Sequence, residues 1–75
     1  MIQSTENIGQ LIRDMRKKMG VTQSDLALTA GTGLRFIIEL ERGKPTCQIG
    51  KVLHVLHILG IQIQAIQPEI NSENS

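Results

Sequence analysis

Apolar residues recur every three or four positions in the first part of the chain and predict an amphipathic helix from Glu6 to Met19. Ser4 or Thr5 can cap its start, because a short side-chain oxygen accepts from the exposed amides. Gly20 ends the helix, since glycine adopts the left-handed conformation at low cost. We expect one face of the helix to be buried, with an apolar stripe made of Ile8, Leu11, Ile12, Met15 and Met19.

A second, shorter helix follows and leads into a tight turn. Thr22 is placed as its N-cap, and Asp25 three residues later completes a variant of the capping box. The small side chain of Ala27 allows a close crossing with another helix. Gly31 supplies the positive φ that the turn needs. These features predict a helix that ends in an abrupt change of direction.

The third helix is expected from Leu34 to Arg42. Ile37 and Leu40 are three residues apart and face inward together, which leaves Leu34, Arg35 and Ile38 on other faces. A small residue, a glycine turn and inward apolar residues at this spacing are typical of a helix-turn-helix unit. In such a unit the second helix enters the major groove of DNA, and its first residues meet the base edges.

A fourth helix is expected from a Thr46 N-cap through Leu59, with Gly60 closing it. It is more apolar than one buried face requires. Val55 and Ile58 fall well away from the centre of the main apolar face and indicate a second contact surface. The main face comprises Ile49, Val52, Leu53, Leu56 and Leu59.

Beyond Gly60 the apolar period changes from helical to two, which predicts a strand from Ile61 to Gln67. A lone strand leaves its amides and carbonyls without partners, and antiparallel pairing with a second copy about a two-fold axis satisfies them. We therefore expect a homodimer whose contacts are made by Val55, Ile58, Ile61, Ile63 and Ala65. Residues 68–75 are polar and without periodicity, and we expect a flexible tail.

The stretch GLRFIIELERGKP, residues 33–45, resembles the Xre/Cro/cI family of helix-turn-helix regulators, and the resemblance covers roughly residues 8–67. It implies a mainly α, four-helix, lambda-repressor-like domain over residues 1–67, to which the chain adds the C-terminal strand. It also implies a structural ion pair between Arg16 and Glu41. The chain departs from the family pattern at Gly33, where a polar cap is usual, and at Ile38, where a small polar residue is usual.

Within that family the sequence is most similar to HipB-like antitoxins. The resemblance implies a protein that represses its own operon and binds a HipA-like serine/threonine kinase toxin. An ordinary Xre-type repressor without a toxin is an alternative. A protein-interaction module with a degenerate recognition helix is another, because Leu34 and Ile38 are apolar where DNA would be read.

The candidate DNA contacts divide into base and phosphate contacts. Arg35 can fork to the O6 and N7 of guanine, or it can bind phosphate alone. Gln23 lies at a helix N-terminus, where free amides and the helix dipole favour a phosphate. The expected base contacts are Gly33, Leu34, Arg35 and Ile38. The expected phosphate contacts are Thr22, Gln23, Lys17, Arg42 and Lys44.

The composition argues against single-stranded nucleic acid as the target and is compatible with duplex DNA. Phe36 is the only aromatic residue among 75, so the aromatic platforms that stack unpaired bases are missing. The net charge is +1, but all eight Lys and Arg precede Pro68, and only five acidic residues accompany them there. This modest basic excess permits binding to phosphates but does not require it. A homodimer on a palindromic operator would double the number of contacts.

Other chemistry finds little support in the sequence. The lone Cys47 excludes an internal disulfide and is typical of a reducing compartment. His54 and His57 are three apart, but no further ligand joins them within their helix, so we expect neither a metal nor a cofactor. No spacing pairs a nucleophile with a base, which argues against an enzyme. No apolar run reaches the roughly 18 residues of a membrane span, and we expect a cytoplasmic protein.

Overall fold

A computed structural model describes residues 4–45 and 48–64, and four helices form in this part of the chain. They are α1 (Thr5–Lys18), α2 (Gln23–Ala30), α3 (Leu34–Glu41) and α4 (Ile49–Ile58). The prediction of a mainly α, four-helix domain is confirmed. None of the described helices is long and apolar enough to cross a bilayer.

Local capping sets the bounds of the first two helices. Ser4 caps α1, and its Oγ accepts from the backbone N–H of Asn7 at 3.2 Å. At α2 the capping box is complete, since Thr22 Oγ1 accepts from the Asp25 N–H and Asp25 Oδ2 accepts from the Thr22 N–H. Gly31 ends α2 with φ 68°, the left-handed conformation that the turn was expected to need.

The core lies where all four helices meet. Both α1 and α2 pack against α3, and α2 also packs against α4. Met19, expected in the buried stripe of α1, instead follows the helix as its C-cap and is exposed. The fully buried side chains come from every helix and are Ile12, Leu26, Ile37, Val55 and Leu56.

Gly9 allows the closest backbone approach between α1 and α3. A Cβ atom at this position would lie 2.5 Å from the carbonyl oxygen of Leu40 and 2.7 Å from that of Glu41. Both distances are shorter than van der Waals contact, and the obstacle is backbone rather than a flexible side chain. Only glycine therefore lets the end of α3 lie directly against α1.

The fourth helix differs from the expectation in its start and in its rotation. It begins at Ile49 with Gln48 as N-cap, so Thr46 is not its cap; Thr46 and Cys47 lie outside the described residues. The buried positions of this helix and its C-cap are Val52, Val55, Leu56 and Leu59, whereas Ile49 and Leu53 are exposed. Because apolar residues lie on both sides of this helix, the sequence period does not show which side faces the core. In the structure the helix packs against α2, and the side that includes Val55 is buried in the core.

The strand expected from Ile61 to Gln67 is not formed within residues 61–64, which have no regular secondary structure. Residues 65–67, with Ala65 among them, lie outside the described part, as does the expected tail. The Ile61 N–H donates to the carbonyl of Leu56 at 2.9 Å and so closes the end of α4. Pairing of this segment with a second copy stays a prediction.

Replacing Gly9 with Ala should destabilise the fold by about 1 to 3 kcal/mol, because α1 and α3 must separate to admit the methyl group. Gly50 offers a matched control, since it also lies within a helix and a Cβ there meets no atom within 4 Å. Gly50→Ala should stabilise the protein by up to roughly 1 kcal/mol, as expected for a helical glycine. Chemical denaturation followed by circular dichroism measures both. Equal stabilities for the two variants would contradict the close approach.

Candidate nucleic-acid interface

The outer face of α3 brings together the residues expected to contact bases. Gly33 precedes the helix as an exposed N-cap, without a side-chain hydrogen bond to the first turn. Leu34 is exposed, Ile38 is half-buried and the side chain of Arg35 is 88% exposed. The opposite side of the helix is buried through Ile37 and Leu40. The helix thus offers one arginine next to two aliphatic side chains on an accessible surface.

A buried ion pair holds this helix in place. Arg16 Nε donates to Glu41 Oε2 at 2.6 Å, and Arg16 Nη2 donates to Glu41 Oε1 at 3.0 Å. The third nitrogen, Nη1, donates to the carbonyl of Val21 at 2.8 Å. The hydrogen bond with Glu41 raises the pKa of Arg16. Burial of the guanidinium lowers this pKa, and the negative charge of Glu41 raises it further, so the net change is upward. One guanidinium therefore joins the end of α1, the loop before α2 and the end of α3.

Gln23, the first residue of α2, belongs to the same network. Its side-chain Nε2 donates to Glu41 Oε1 at 3.1 Å, so this oxygen accepts from both Gln23 and Arg16. An amide nitrogen carries two hydrogens, and this bond uses one of them. Gln23 is half-buried. Its hydrogen bond to Glu41 restrains the side-chain amide, whose second N–H is not used by this bond.

A shallow groove beside this network adds a cation that the sequence reasoning missed. It is lined by Arg13, Arg16, Gln23, Ile38, Glu41 and Arg42. Arg13 and Arg42 are exposed, whereas the charge of Arg16 is compensated by Glu41. Arg13 lies three residues before Arg16, and residues at this spacing share one side of a helix. The sequence therefore contained a signal that Arg13 lies beside the Arg16–Glu41 pair.

The other expected phosphate contacts are more dispersed. Arg42 also lines a second groove, with Leu34, Arg35, Ile38 and Glu39. Lys17 and Thr22 line neither of these grooves, and the Thr22 hydroxyl already serves as the cap of α2. Lys44 is exposed in the segment that follows α3, and its ammonium is engaged by a carboxylate.

That carboxylate is Glu39, a second residue that the sequence reasoning left without a role. Glu39 Oε2 accepts from Lys44 Nζ at 2.8 Å and lies 4.0 Å from Arg35 Nε. The hydrogen bond with Lys44 holds the pKa of Glu39 below its ordinary value; desolvation opposes this, and the charges of Lys44, Arg35 and Arg42 reinforce it. The four-residue spacing from Arg35 was the available signal, because such residues are neighbours on a helix.

The expected dimer contacts require one correction. Val55 is fully buried in the core of a single chain, so the prediction that it contacts a second copy was wrong. Ile58 and Ile61 are half-buried, and Ile63 is exposed. The rotation of α4 that buries Val55 turns Ile49 and Leu53 toward solvent. Exposed apolar surface is therefore present on α4, but on the side opposite to that expected.

Glu41→Gln should destabilise the fold by about 3 to 5 kcal/mol, because the buried guanidinium of Arg16 would keep its charge without a counter-ion. The side chains of Arg16 and Glu41 are only 10% and 4% exposed. Asp14→Asn is the matched control: it also neutralises a carboxylate, but on the exposed side of α1, where changes stay within about 0.5 kcal/mol. Thermal and urea denaturation measure the difference. A Glu41→Gln protein as stable as Asp14→Asn would contradict a structural role for the pair.

Comparison with known proteins agrees with this architecture. A family model described as a helix-turn-helix domain matches residues 9–67. A protein of Sinorhizobium fredii (strain NBRC 101917 / NGR234), named as the uncharacterized HTH-type transcriptional regulator y4mF, is 52% identical over 67 residues, or 89% of this chain and 88% of that protein. A solved structure named MDT Protein is 20% identical and shares the fold, with a TM-score of 0.80 over 92% of this chain and 97% of that one. The chain belongs to the helix-turn-helix domain family.

Proposed function

We propose that this protein is a transcriptional repressor that binds duplex DNA sequence-specifically and places α3 in the major groove. The observation that carries the proposal is the exposed face of α3, where Arg35 lies beside Leu34 and Ile38 on a helix fixed by the buried Arg16–Glu41 pair. The name of the Sinorhizobium fredii relative, an HTH-type transcriptional regulator, supports the same function.

Each side chain on this face has a chemical use in the major groove. The guanidinium of Arg35 matches the O6 and N7 acceptors of guanine. Leu34 and Ile38 match the methyl group of thymine, and Gly33 lets the backbone approach closely. Around them, Gln23, Lys17, Arg42 and Lys44 supply phosphate contacts, with Thr22 at the start of α2. Phosphate contacts orient the protein, and base contacts select the sequence.

We further propose that the repressor acts as a homodimer on a palindromic site. Few groups on one chain can read bases, and a two-fold axis doubles them. The half-site centres would then be about one DNA turn, roughly 34 to 36 Å, or a multiple of it apart. The support for a dimer is the exposed apolar surface of α4 and the following segment, where Leu53 and Ile63 are exposed and lie near half-buried Ile61, and Ile49 is exposed on the same side of α4 as Leu53. Ile58 is half-buried on another side of the helix and is kept as a proposed contact from the sequence pattern alone.

The resemblance of residues 33–45 to HipB-like antitoxins supports a finer proposal, in which the repressor is the cytoplasmic antitoxin of a HipA-like serine/threonine kinase toxin. A stand-alone repressor differs from it only in lacking that partner. Co-expression with the neighbouring reading frame discriminates the two, because an antitoxin co-purifies with a kinase encoded there. A module that binds only proteins would bind no duplex DNA at any salt concentration.

Arg35→Ala should weaken binding to the preferred site by about 1 to 3 kcal/mol and relax the preference at one base pair, because a fork to guanine is lost. Arg42→Ala is the matched control, since it removes an exposed arginine proposed to contact phosphate. It should weaken all duplexes alike and lower the salt slope by about one. Selection from a random duplex pool, followed by titration at several salt concentrations, measures both effects. Identical profiles for the two variants would refute base reading by Arg35.

Replacing both Leu53 and Ile63 with Asp should convert the dimer to a monomer and weaken operator binding. In the dimer, each chain would bury two unpaired carboxylates against the apolar surface of its partner, which is unfavourable. Leu28→Asp provides the control, as Leu28 is an exposed leucine on α2 and does not line the groove that contains Leu53 and Ile63. Analytical ultracentrifugation reports the oligomeric state, and circular dichroism verifies that the helices are retained. A wild-type protein that sediments as a monomer well above its DNA dissociation constant would disprove the dimer.

A further inference from the structure

One carboxylate lies among the cations of the proposed DNA-binding face. Glu39 Oε2 accepts a hydrogen bond from Lys44 Nζ at 2.8 Å and lies 4.0 Å from Arg35 Nε. The backbone N–H of Lys44 also donates to the carbonyl of Glu39 at 3.0 Å, so both the main chain and the side chain hold the lysine. A proposed base-reading cation and a proposed phosphate-binding cation therefore share one anionic partner.

The two contacts differ in strength. The bond to Lys44 is a charge-assisted hydrogen bond of ordinary length. The distance to Arg35 is an ion-pair distance that is too long for a hydrogen bond, and the arginine side chain is 88% exposed. Arginine also precedes glutamate in this pair, the less favourable order on a helix. The side chain of Lys44 is itself exposed, so in the free protein Glu39 restrains Lys44 by one surface hydrogen bond and biases the direction of Arg35 more weakly still.

Contact with DNA changes this balance for Arg35. A duplex laid against α3 excludes water, and opposite charges attract more strongly where the local dielectric constant is lower. Arginine carries five N–H donors in a rigid fork, and Nε is the atom nearest Glu39. The terminal nitrogens Nη1 and Nη2 stay available for the N7 and O6 of guanine. Glu39 can thus orient the guanidinium without blocking the atoms that read the base.

The effect on Lys44 has the opposite sign. An ammonium that is hydrogen-bonded to a carboxylate contributes less net charge to the phosphates, and the carboxylate itself is repelled by them. This loss is the same for every duplex, since phosphates carry no sequence information. The orientation of Arg35 helps only where a guanine is present. A single carboxylate in this position lowers general affinity and raises discrimination together.

We propose that Glu39 is a specificity-determining positioning residue of the DNA-binding face, which weakens the contact of Lys44 with the phosphates and orients Arg35 toward a guanine. The proposal rests on the proposed function, since it needs duplex DNA on the outer face of α3. It assigns to Glu39 a role in recognition that acts through two neighbouring side chains and not through its own contact with a base.

The test compares the wild-type full-length protein with Glu39→Gln on two duplexes, one selected by the wild type from a random pool and one scrambled duplex of equal composition. Glu39→Gln keeps the size of the side chain and removes its charge. It should bind the scrambled duplex several-fold more tightly and lower the ratio of specific to scrambled affinity about tenfold. The slope of log K against log salt should steepen by about one, as expected when one more cation reaches a phosphate.

Two further variants separate the parts of the proposal. In a Lys44→Ala background, Glu39→Gln should no longer steepen the salt slope, because the cation that it releases is absent. In an Arg35→Ala background, it should no longer lower the discrimination ratio. Circular dichroism and thermal melting of each variant verify the fold, and a change in folding alone would move neither the slope nor the base preference.

The outcomes distinguish this proposal from the function on which it rests. If the wild type discriminates between the duplexes, and Arg35→Ala abolishes discrimination while Glu39→Gln leaves both ratio and slope unchanged, the role of Glu39 is overturned and DNA reading stands. If the wild type binds neither duplex in a salt-dependent manner, DNA binding itself is overturned, and the role of Glu39 with it.

Discussion

The carboxylate of Glu41 is the constraint on which the rest of the interface depends. It is 4% exposed, accepts two hydrogen bonds from Arg16 and one from Gln23, and lies at the last turn of the proposed recognition helix. Replacing a buried pair with apolar residues often leaves stability unchanged, so the presence of the pair is weak evidence that it adds net stability to the fold. Its importance is geometric, because the planar fork of the guanidinium permits few relative positions of the helices that it joins.

This arrangement relates the two kinds of DNA contact to each other. Gln23 begins α2, where phosphate contact is proposed, and Glu41 ends α3, the helix proposed to contact bases. Since their side chains are hydrogen-bonded, the start of α2 and the end of α3 are already held together in the absence of DNA. Such preorganisation reduces the ordering that binding would otherwise require. The modest charge of the protein is more effective on a surface of this kind than on a mobile one.

Much of the fold could be predicted from the sequence where local chemistry is decisive. The Thr22 and Asp25 capping box and the glycine at position 31 act within a few residues, so their spacing is sufficient. The Arg16–Glu41 pair is different, since 25 residues separate its members. It followed from the resemblance to a known family, and no periodicity in this chain indicates it.

The rest depended on how elements pack, which local patterns do not encode. Apolar residues surround much of α4, and packing in the shared core, where α4 lies against α2, buries Val55 while Leu53 stays exposed. Gly9 gave no signal as a contact residue, because a helical glycine has the same appearance whether or not another backbone lies against it. At Glu39 the spacing from Arg35 was visible, but the position of Lys44 depends on the turn after α3.

The direct backbone contact between α1 and α3 at Gly9 has a consequence for how this protein can evolve. Where side chains separate two helices, rotamer changes or drift among aliphatic residues can tilt one helix against the other. At Gly9 main chain meets main chain, and this contact contains no side chain that could be exchanged. At this point the position of α3 against α1 is set by backbone contact and not by the packing of side chains. Leu34 and Arg35 are exposed on the outer face of α3, so substitutions there can change the chemistry of this surface and leave the contact at Gly9 unchanged.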